Sequence, residues 1–157
     1  MQHGATYPSL AGRSIFVTGG ATGIGAALVR AFTAQHALVT VVDFQQAEGE
    51  DLVAELDGKP TFRCLDVTNT ESLQQAITEA NERVPLGVLI NNAANDMRHA
   101  PGDMSVSQWR DSLAINLDAA FFAAQAAAPV MAANGGGSII NFSSINATLG
   151  PSNMPGY

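Results

Sequence analysis

The residues best suited to chemistry fall in three groups along the 157-residue sequence. The first is TGGATGIG at 18–25, where Gly19, Gly23 and Gly25 are spaced G-x-x-x-G-x-G. A turn this tight excludes side chains and lets a diphosphate approach the N–H groups at a helix start. A bare strand-to-helix turn would look the same. The position of the turn, after an apolar run and before a helical pattern, favours a dinucleotide, with Thr22 and Ile24 in the same turn. The second group is acidic. Asp43 ends the next apolar run, 24 residues past Gly19. A carboxylate there accepts hydrogen bonds from a ribose diol and repels a 2′-phosphate. It equally suits a helix cap. No Lys or Arg follows it closely, and Ala21 and Thr22 place no cation in the turn, so the expected cofactor is NAD and not NADP. Asp66, in LDVT, either meets an adenine amino group or is a plain turn acid. Phe44, Val67, Asn92 and Ala93 adjoin these strand ends and complete the expected cofactor wall. The third group is a pair of hydroxyls, Ser144 and Tyr157, 13 residues apart, with Asn116 inside a helical stretch. By residue type alone these three suit packing and capping as readily as proton transfer.

The elements that must position them alternate. SIFVTGG, ALVTVVDF, PTFRCLDV, LGVLINNAA and GSIINFSS read as strands. Helical patterns run from Ile24 to about His36, over QQAEGEDLVAELDG up to Gly58, over NTESLQQAITEANERV with Thr68 or Asn69 as cap, and from Ser107 to about Ala133. NDMRHAPGDM is a loop. LGVLINNAA lacks polar alternation, which predicts burial on both faces. Strands alternating with helices predict an α/β fold, a doubly wound parallel sheet with helices on both faces. Ligands in such sheets bind beyond the carboxyl ends of the strands, where the unusual residues gather.

Composition narrows the function classes. The chain is 46% hydrophobic and 13% charged, against about 25% charged in ordinary domains. A covered surface is therefore expected. A net charge of −7 with no basic patch disfavours nucleic acid. The single Cys64 excludes an internal disulfide and reads as a small buried strand residue. His3, His36 and His99 lack metal-ligand spacing. The sequence shows no signal peptide, and no apolar run approaches the roughly 20 residues of a membrane span. The expected location is cytoplasmic, with no membrane partner. Trp109, Phe121 and Phe122 on the long helix read as packing residues.

With these residues in hand, the chain resembles the short-chain dehydrogenase/reductase family from about Leu10 to Tyr157. The resemblance rests on TGGATGIG, on NNAA at 91–94, on Asn116 in AINL, and on INFSS followed by Tyr157. It implies a Rossmann-type fold and a single NAD-binding domain over residues 1–157, the front portion of a longer protein. In the family the Tyr opens a Y-x-x-x-K pattern, and this sequence stops before the Lys. YPSLAGRSIFVTGG and NNAANDMRHAP narrow the resemblance to bacterial sugar 1-dehydrogenases of the D-xylose, L-arabinose or galactose type. Asn95, Asp96, Arg98 and His99, with Asn146 past the Ser, would then meet the sugar; a solvated loop is the plain alternative.

What the resemblance implies is oxidation of an aldose at its anomeric carbon to a lactone, with hydride passing to NAD. Tyr157 would be the general base, Ser144 would hold the substrate oxygen, and Asn116 would support a proton relay. A homotetramer or homodimer built on the long helix is implied in the same way. Two rivals stand beside this reading. One is reduction of a 3-oxoacyl thioester or another ketone within the same family. The other is a nucleotide-binding fragment without turnover.

Overall fold

Each predicted strand forms, and the order in which they pair explains where a ligand can enter. The computed structural model describes residues 5–150 and 153–157. A 3-10 turn at Pro8–Leu10 leads into β1 (Ser14–Thr18), α1 (Gly23–Ala34), β2 (Leu38–Asp43), α2 (Gln46–Glu55), β3 (Thr61–Cys64), α3 (Thr70–Arg83) and β4 (Leu86–Asn91). After a loop come α4 (Val106–Leu113), a π-helical segment (Ala114–Asp118), α5 (Ala119–Ala133), β5 (Ser138–Asn141) and the short α6 (Asn146–Leu149). The sheet order is β3-β2-β1-β4-β5, with every pairing parallel. The chain reverses its direction of travel between β1 and β4. That switch point is where neighbouring crossovers part and a crevice opens.

Every residue of β1 is buried, because helices cover both faces of the sheet. Alternate side chains feed separate cores. Phe16, Val42 and Leu89 pack with Leu73, Ile77 and Ala123 beneath α3 and α5. Ile15, Val17, Val41 and Ile90 pack with Val29 and Leu52 beneath α1 and α2. Asn69 caps α3 by accepting from Ser72 N at 3.0 Å. Ser105 and Gln108 form a reciprocal capping box at the start of α4. On α5, Ala119, Ala123, Ala127 and Met131 recur every fourth residue and carry the buried stripe.

Two expectations are corrected, and the long helix has two features that its sequence pattern did not announce. Cys64 is exposed, because β3 is an outer strand and Cys64 is its last residue. Trp109 and Phe121 are 43% and 60% exposed, so neither is a core residue of this chain as the sequence suggested, although Phe121 meets Phe122 edge to face at a centroid distance of 5.3 Å. The long helix is not uniform: it carries the π-helical segment in its middle. Within Val106–Ala133 an 18-residue stretch is apolar enough on average to cross a membrane, because its many alanines lift the mean, while no unbroken apolar run of that length occurs. β5, the other outer strand, is exposed at every residue.

Candidate active site

A cleft of about 780 Å³ opens beyond the carboxyl ends of the strands. Gly19, Thr22, Gly23, Ile24, Asp43, Phe44, Asp66, Val67, Asn92 and Ala93 line one part of it. Asn95, Asp96, Asn116, Ser144 and Tyr157 line the rest. Residues up to 138 positions apart in the sequence thus share one cavity (Gly19 to Tyr157).

The glycine turn is as tight as its sequence requires. Gly19 has φ +63°, and a Cβ there would lie 2.7 Å from Ala93 Cα. A Cβ on Gly25 would run into the Gly19 carbonyl oxygen, so Gly25 sits beneath the turn and not in the cleft wall. Asn92 holds this geometry: its Nδ2 donates to Gly19 O at 2.8 Å and Thr18 O at 3.2 Å. The Thr18 hydroxyl accepts from the backbone N–H groups of Asn92 and Ala93, both at 3.1 Å. The space in front of Gly19 and Gly23 is left clear of side chains at the N-terminus of α1, which fits the diphosphate of a dinucleotide. Thr18 went unnoticed in the sequence because its partners lie just past β4, more than 70 positions away.

Asp43 is 3% exposed and has no cationic partner among the described residues. Backbone donors carry its charge. Ala21 N donates to Oδ2 at 3.0 Å and Gln45 N donates to Oδ1 at 3.1 Å, with Gln45 Nε2 at 3.4 Å. Such charge-assisted bonds keep a buried carboxylate satisfied. Asp43 is therefore a turn anchor that also lines the cleft, and it does not cap α2, whose N-cap is Gln45. Gln45, which the sequence did not flag, also donates Nε2 to Thr22 Oγ1 at 3.3 Å and joins β2 to the glycine turn. Asp66 is likewise both wall and turn: its Oδ1 accepts from Thr68 N and Oγ1 at 2.9 and 2.8 Å. Phe44 is 73% exposed and presents its ring beside Asp43. The walls carry three acids, Asp43, Asp66 and Asp96, and no Lys or Arg.

On the opposite side, Asn116 lies in the π-helical segment. Such an insertion is frequent at functional sites because it breaks the i→i−4 ladder and re-aims a side chain. The Asn116 amide makes three bonds. Its Oδ1 accepts from Asn95 N at 2.7 Å, and its Nδ2 donates to Asn95 O at 2.9 Å and Gly156 O at 2.8 Å. Ser144 Oγ accepts from Asn146 N at 3.2 Å and remains on the cleft wall beside Ser143. Tyr157 is 37% exposed there.

Three expected substrate residues are not brought to the cleft. Arg98 is exposed and is not part of the cleft wall, and no ion pair joins it to Asp96 among the described residues. His99, whose N–H donates to Asn153 O at 2.8 Å, is likewise absent from the cleft wall. Asn146 turns its amide to Met154 Sδ at 3.6 Å. Met97 and Ile115 occupy the wall instead. No cluster of metal-ligating side chains occurs among the described residues.

A parallel sheet of this order, with a glycine turn at the switch point, is the doubly wound arrangement in which ligands sit beyond the carboxyl ends of the strands. The sequence matches the profile of the short chain dehydrogenases over residues 13–157, and the chain belongs to that family. It is 42% identical over 156 residues to a probable galactose dehydrogenase of Rhizobium meliloti, covering 96% of this chain and 61% of the relative. It is 39% identical over 149 residues to a D-xylose 1-dehydrogenase of Caulobacter vibrioides, covering 93% and 59%. A crystal structure from Sinorhizobium meliloti 1021, provisionally assigned as a short-chain alcohol dehydrogenase, superposes with a TM-score of 0.86 at 28% identity. That superposition covers 94% of this chain and 60% of the other. The chain thus spans about three fifths of the length of the relatives it matches.

Proposed function

We propose that the complete protein oxidises the anomeric hydroxyl of an aldose to a lactone and reduces NAD. The observation that carries this reading is the single cleft that joins the Gly19–Gly23 turn and Asp43 to Ser144 and Tyr157. The sugar dehydrogenases among its relatives support the substrate class.

The chain's own residues divide the work. The turn at Gly19 and Gly23 would receive the diphosphate, and Asp43 would accept from the adenosine ribose diol. Three acids and no cation in the walls favour NAD over its 2′-phosphorylated form. When bound, the nicotinamide ring supplies hydride acceptance. The Ser144 hydroxyl would donate to the substrate oxygen and hold it before Tyr157. Tyr157, acting as the phenolate, would take the proton of the anomeric hydroxyl and become the neutral phenol. Asn116 would act through its grip on Asn95 and Gly156, fixing the two segments that flank the substrate. The large apolar side chains exposed on the α4–α5 run, Trp109, Leu117 and Phe121, support a homodimer or homotetramer. Sedimentation of the complete protein showing only monomer would remove that part.

The test is a panel of aldoses with NAD and NADP, followed at the reduced-nicotinamide absorbance. NAD reduction by D-xylose, L-arabinose or galactose, lost in Ser144→Ala and Tyr157→Phe, is the expected result. NADPH oxidation by an acetoacetyl thioester, with no aldose turned over, would replace this reading by that of a carbonyl reductase.

A further inference from the structure

The segment that delivers Tyr157 crosses α4 with almost no clearance. Gly156 lies against Ser112, a residue 4% exposed on α4 that is not part of the cleft wall. A Cβ on Gly156 would sit 2.7 Å from Ser112 Cβ and 3.1 Å from its Oγ. Carbon atoms in contact stand about 3.5–4.0 Å apart. Ser112 Cβ is bonded to the helix backbone, so no change of rotamer withdraws it. Met104 Cε lies on another side of the same space, 3.6 Å away. Four residues beyond Ser112, Asn116 donates its Nδ2 to the Gly156 carbonyl at 2.8 Å. Gly156 is thus pressed on a floor by Ser112 and hooked by Asn116, and Tyr157 is the next residue.

We propose that Ser112 and Gly156 are positioning residues, whose direct packing sets how deep the Tyr157 hydroxyl stands in the cleft. The inference rests on the reading of Tyr157 as proton acceptor, whereas the contact itself does not. Alanine at 156 must lift the segment off α4 by roughly one ångström to restore an ordinary carbon–carbon distance. A displacement of that size at a reacting group costs on the order of a hundredfold in rate. Cofactor affinity should not change, because the Gly19 turn and Asp43 lie on the other wall.

The experiment uses the full-length protein labelled with 3-fluorotyrosine, the Tyr157 resonance being assigned from Tyr157→Phe. Four variants are compared: Gly156→Ala, Gly156→Ala/Ser112→Gly, Gly156→Ala/Ser112→Ala and Ser112→Val. Gly156→Ala should shift the Tyr157 fluorine resonance and lower kcat roughly a hundredfold, with NADH affinity unchanged. Adding Ser112→Gly removes the opposing Cβ and should return the resonance and at least a tenfold share of kcat. Adding Ser112→Ala keeps that Cβ and should return neither. Ser112→Val enlarges the floor from the helix side and should shift the same resonance, which keeps the test valid where Gly156→Ala does not fold. An unmoved resonance in both Gly156→Ala and Ser112→Val, or a shift that Ser112→Gly leaves in place, overturns the proposal. If the parent protein oxidises no aldose, the functional reading fails and the fluorine cycle alone decides the positioning.

Discussion

Replacing Asn116 by alanine tests whether one amide joins the two halves of the cleft. The substitution removes three hydrogen bonds of 2.7, 2.9 and 2.8 Å. The orientation of the amide is forced, since Asn95 N–H requires an acceptor while the carbonyls of Asn95 and Gly156 require donors. A hydrogen bond contributes about 0.5–1.5 kcal/mol net, so the three together contribute roughly 2–4 kcal/mol. In a chain of this length each kcal/mol moves the melting temperature by about 2–4 °C. The expected fall is therefore on the order of 4–16 °C, read by circular dichroism and checked by urea titration with an unchanged slope. Asn116→Asp keeps the size and the acceptor for Asn95 N but turns a carboxylate oxygen toward two carbonyls. At neutral pH it should destabilise at least as much as alanine. If Asn116→Ala lies within about 0.5 kcal/mol of the parent, the range of an inert surface change, the amide is not the clamp described.

Three more outcomes follow from the same geometry. Gly19→Ala combines a positive φ with a Cβ 2.7 Å from Ala93 Cα, and should cost about 2–4 kcal/mol in urea titration; an unchanged midpoint would contradict the tight turn. Asp43→Asn sets an N–H₂ group against the N–H of Ala21 or Gln45, and loss of a charged acceptor should weaken NADH binding roughly 10- to 100-fold by calorimetry. No cation waits in the wall for a 2′-phosphate, so NADPH affinity should not rise to match; equal affinities would refute the assignment of Asp43. Far from the cleft, Arg30 donates to both oxygens of Glu55 at 2.7 and 2.6 Å, and this hydrogen bonding holds the Glu55 carboxyl below its usual range. A carboxylate lowered in the folded state stabilises above its unfolded value, about pH 4.3, and loses that contribution as the pH falls through the lowered folded value. The small melting gap between the parent and Glu55→Gln should therefore shrink with salt and close on acidification; a gap that widens toward acid would reverse the sign.

What could be read in the sequence was whatever short-range sterics decide. β1, β2 and β4 are mostly apolar runs because both faces of a parallel sheet are covered, and such runs announce themselves. The glycine turn was legible because its spacing lies within eight residues, although Ala93 and Asn92, which crowd it, come from beyond β4. Cys64 was misread because its exposure depends on β3 lying outermost, a fact of strand order and not of residue type. Trp109 and Phe121 were misread because an apolar side chain does not say whether its neighbour lies in the same chain. Arg98 and His99 looked like substrate residues from their density of donors. The path of their loop is fixed by a backbone bond to Asn153, 54 positions on from His99.

The least legible feature is the one that gives the cleft its shape. The four residues Asn92 to Asn95 leave β4 and serve both walls at once. At their start, the Asn92 side chain grips Gly19 and Thr18 and so fixes the glycine turn. At their end, the Asn95 backbone is gripped by Asn116, which in turn holds Gly156 beside Tyr157. The distance between the glycine turn and the tyrosine is therefore set by a span only four residues long, although the two ends lie 138 positions apart (Gly19 to Tyr157). Loops ordinarily absorb insertions at small cost. This one cannot do so without moving one wall against the other. One residue inserted between Ala93 and Ala94 should leave the sheet folded and the turn able to bind NADH, since the Asn92 bonds precede the insertion. The Asn95–Asn116 clamp should then slip, and Tyr157 lose its place relative to the turn. Retained NADH affinity with turnover abolished is the expected pattern. Retained turnover would mean that the two walls find their spacing by another route.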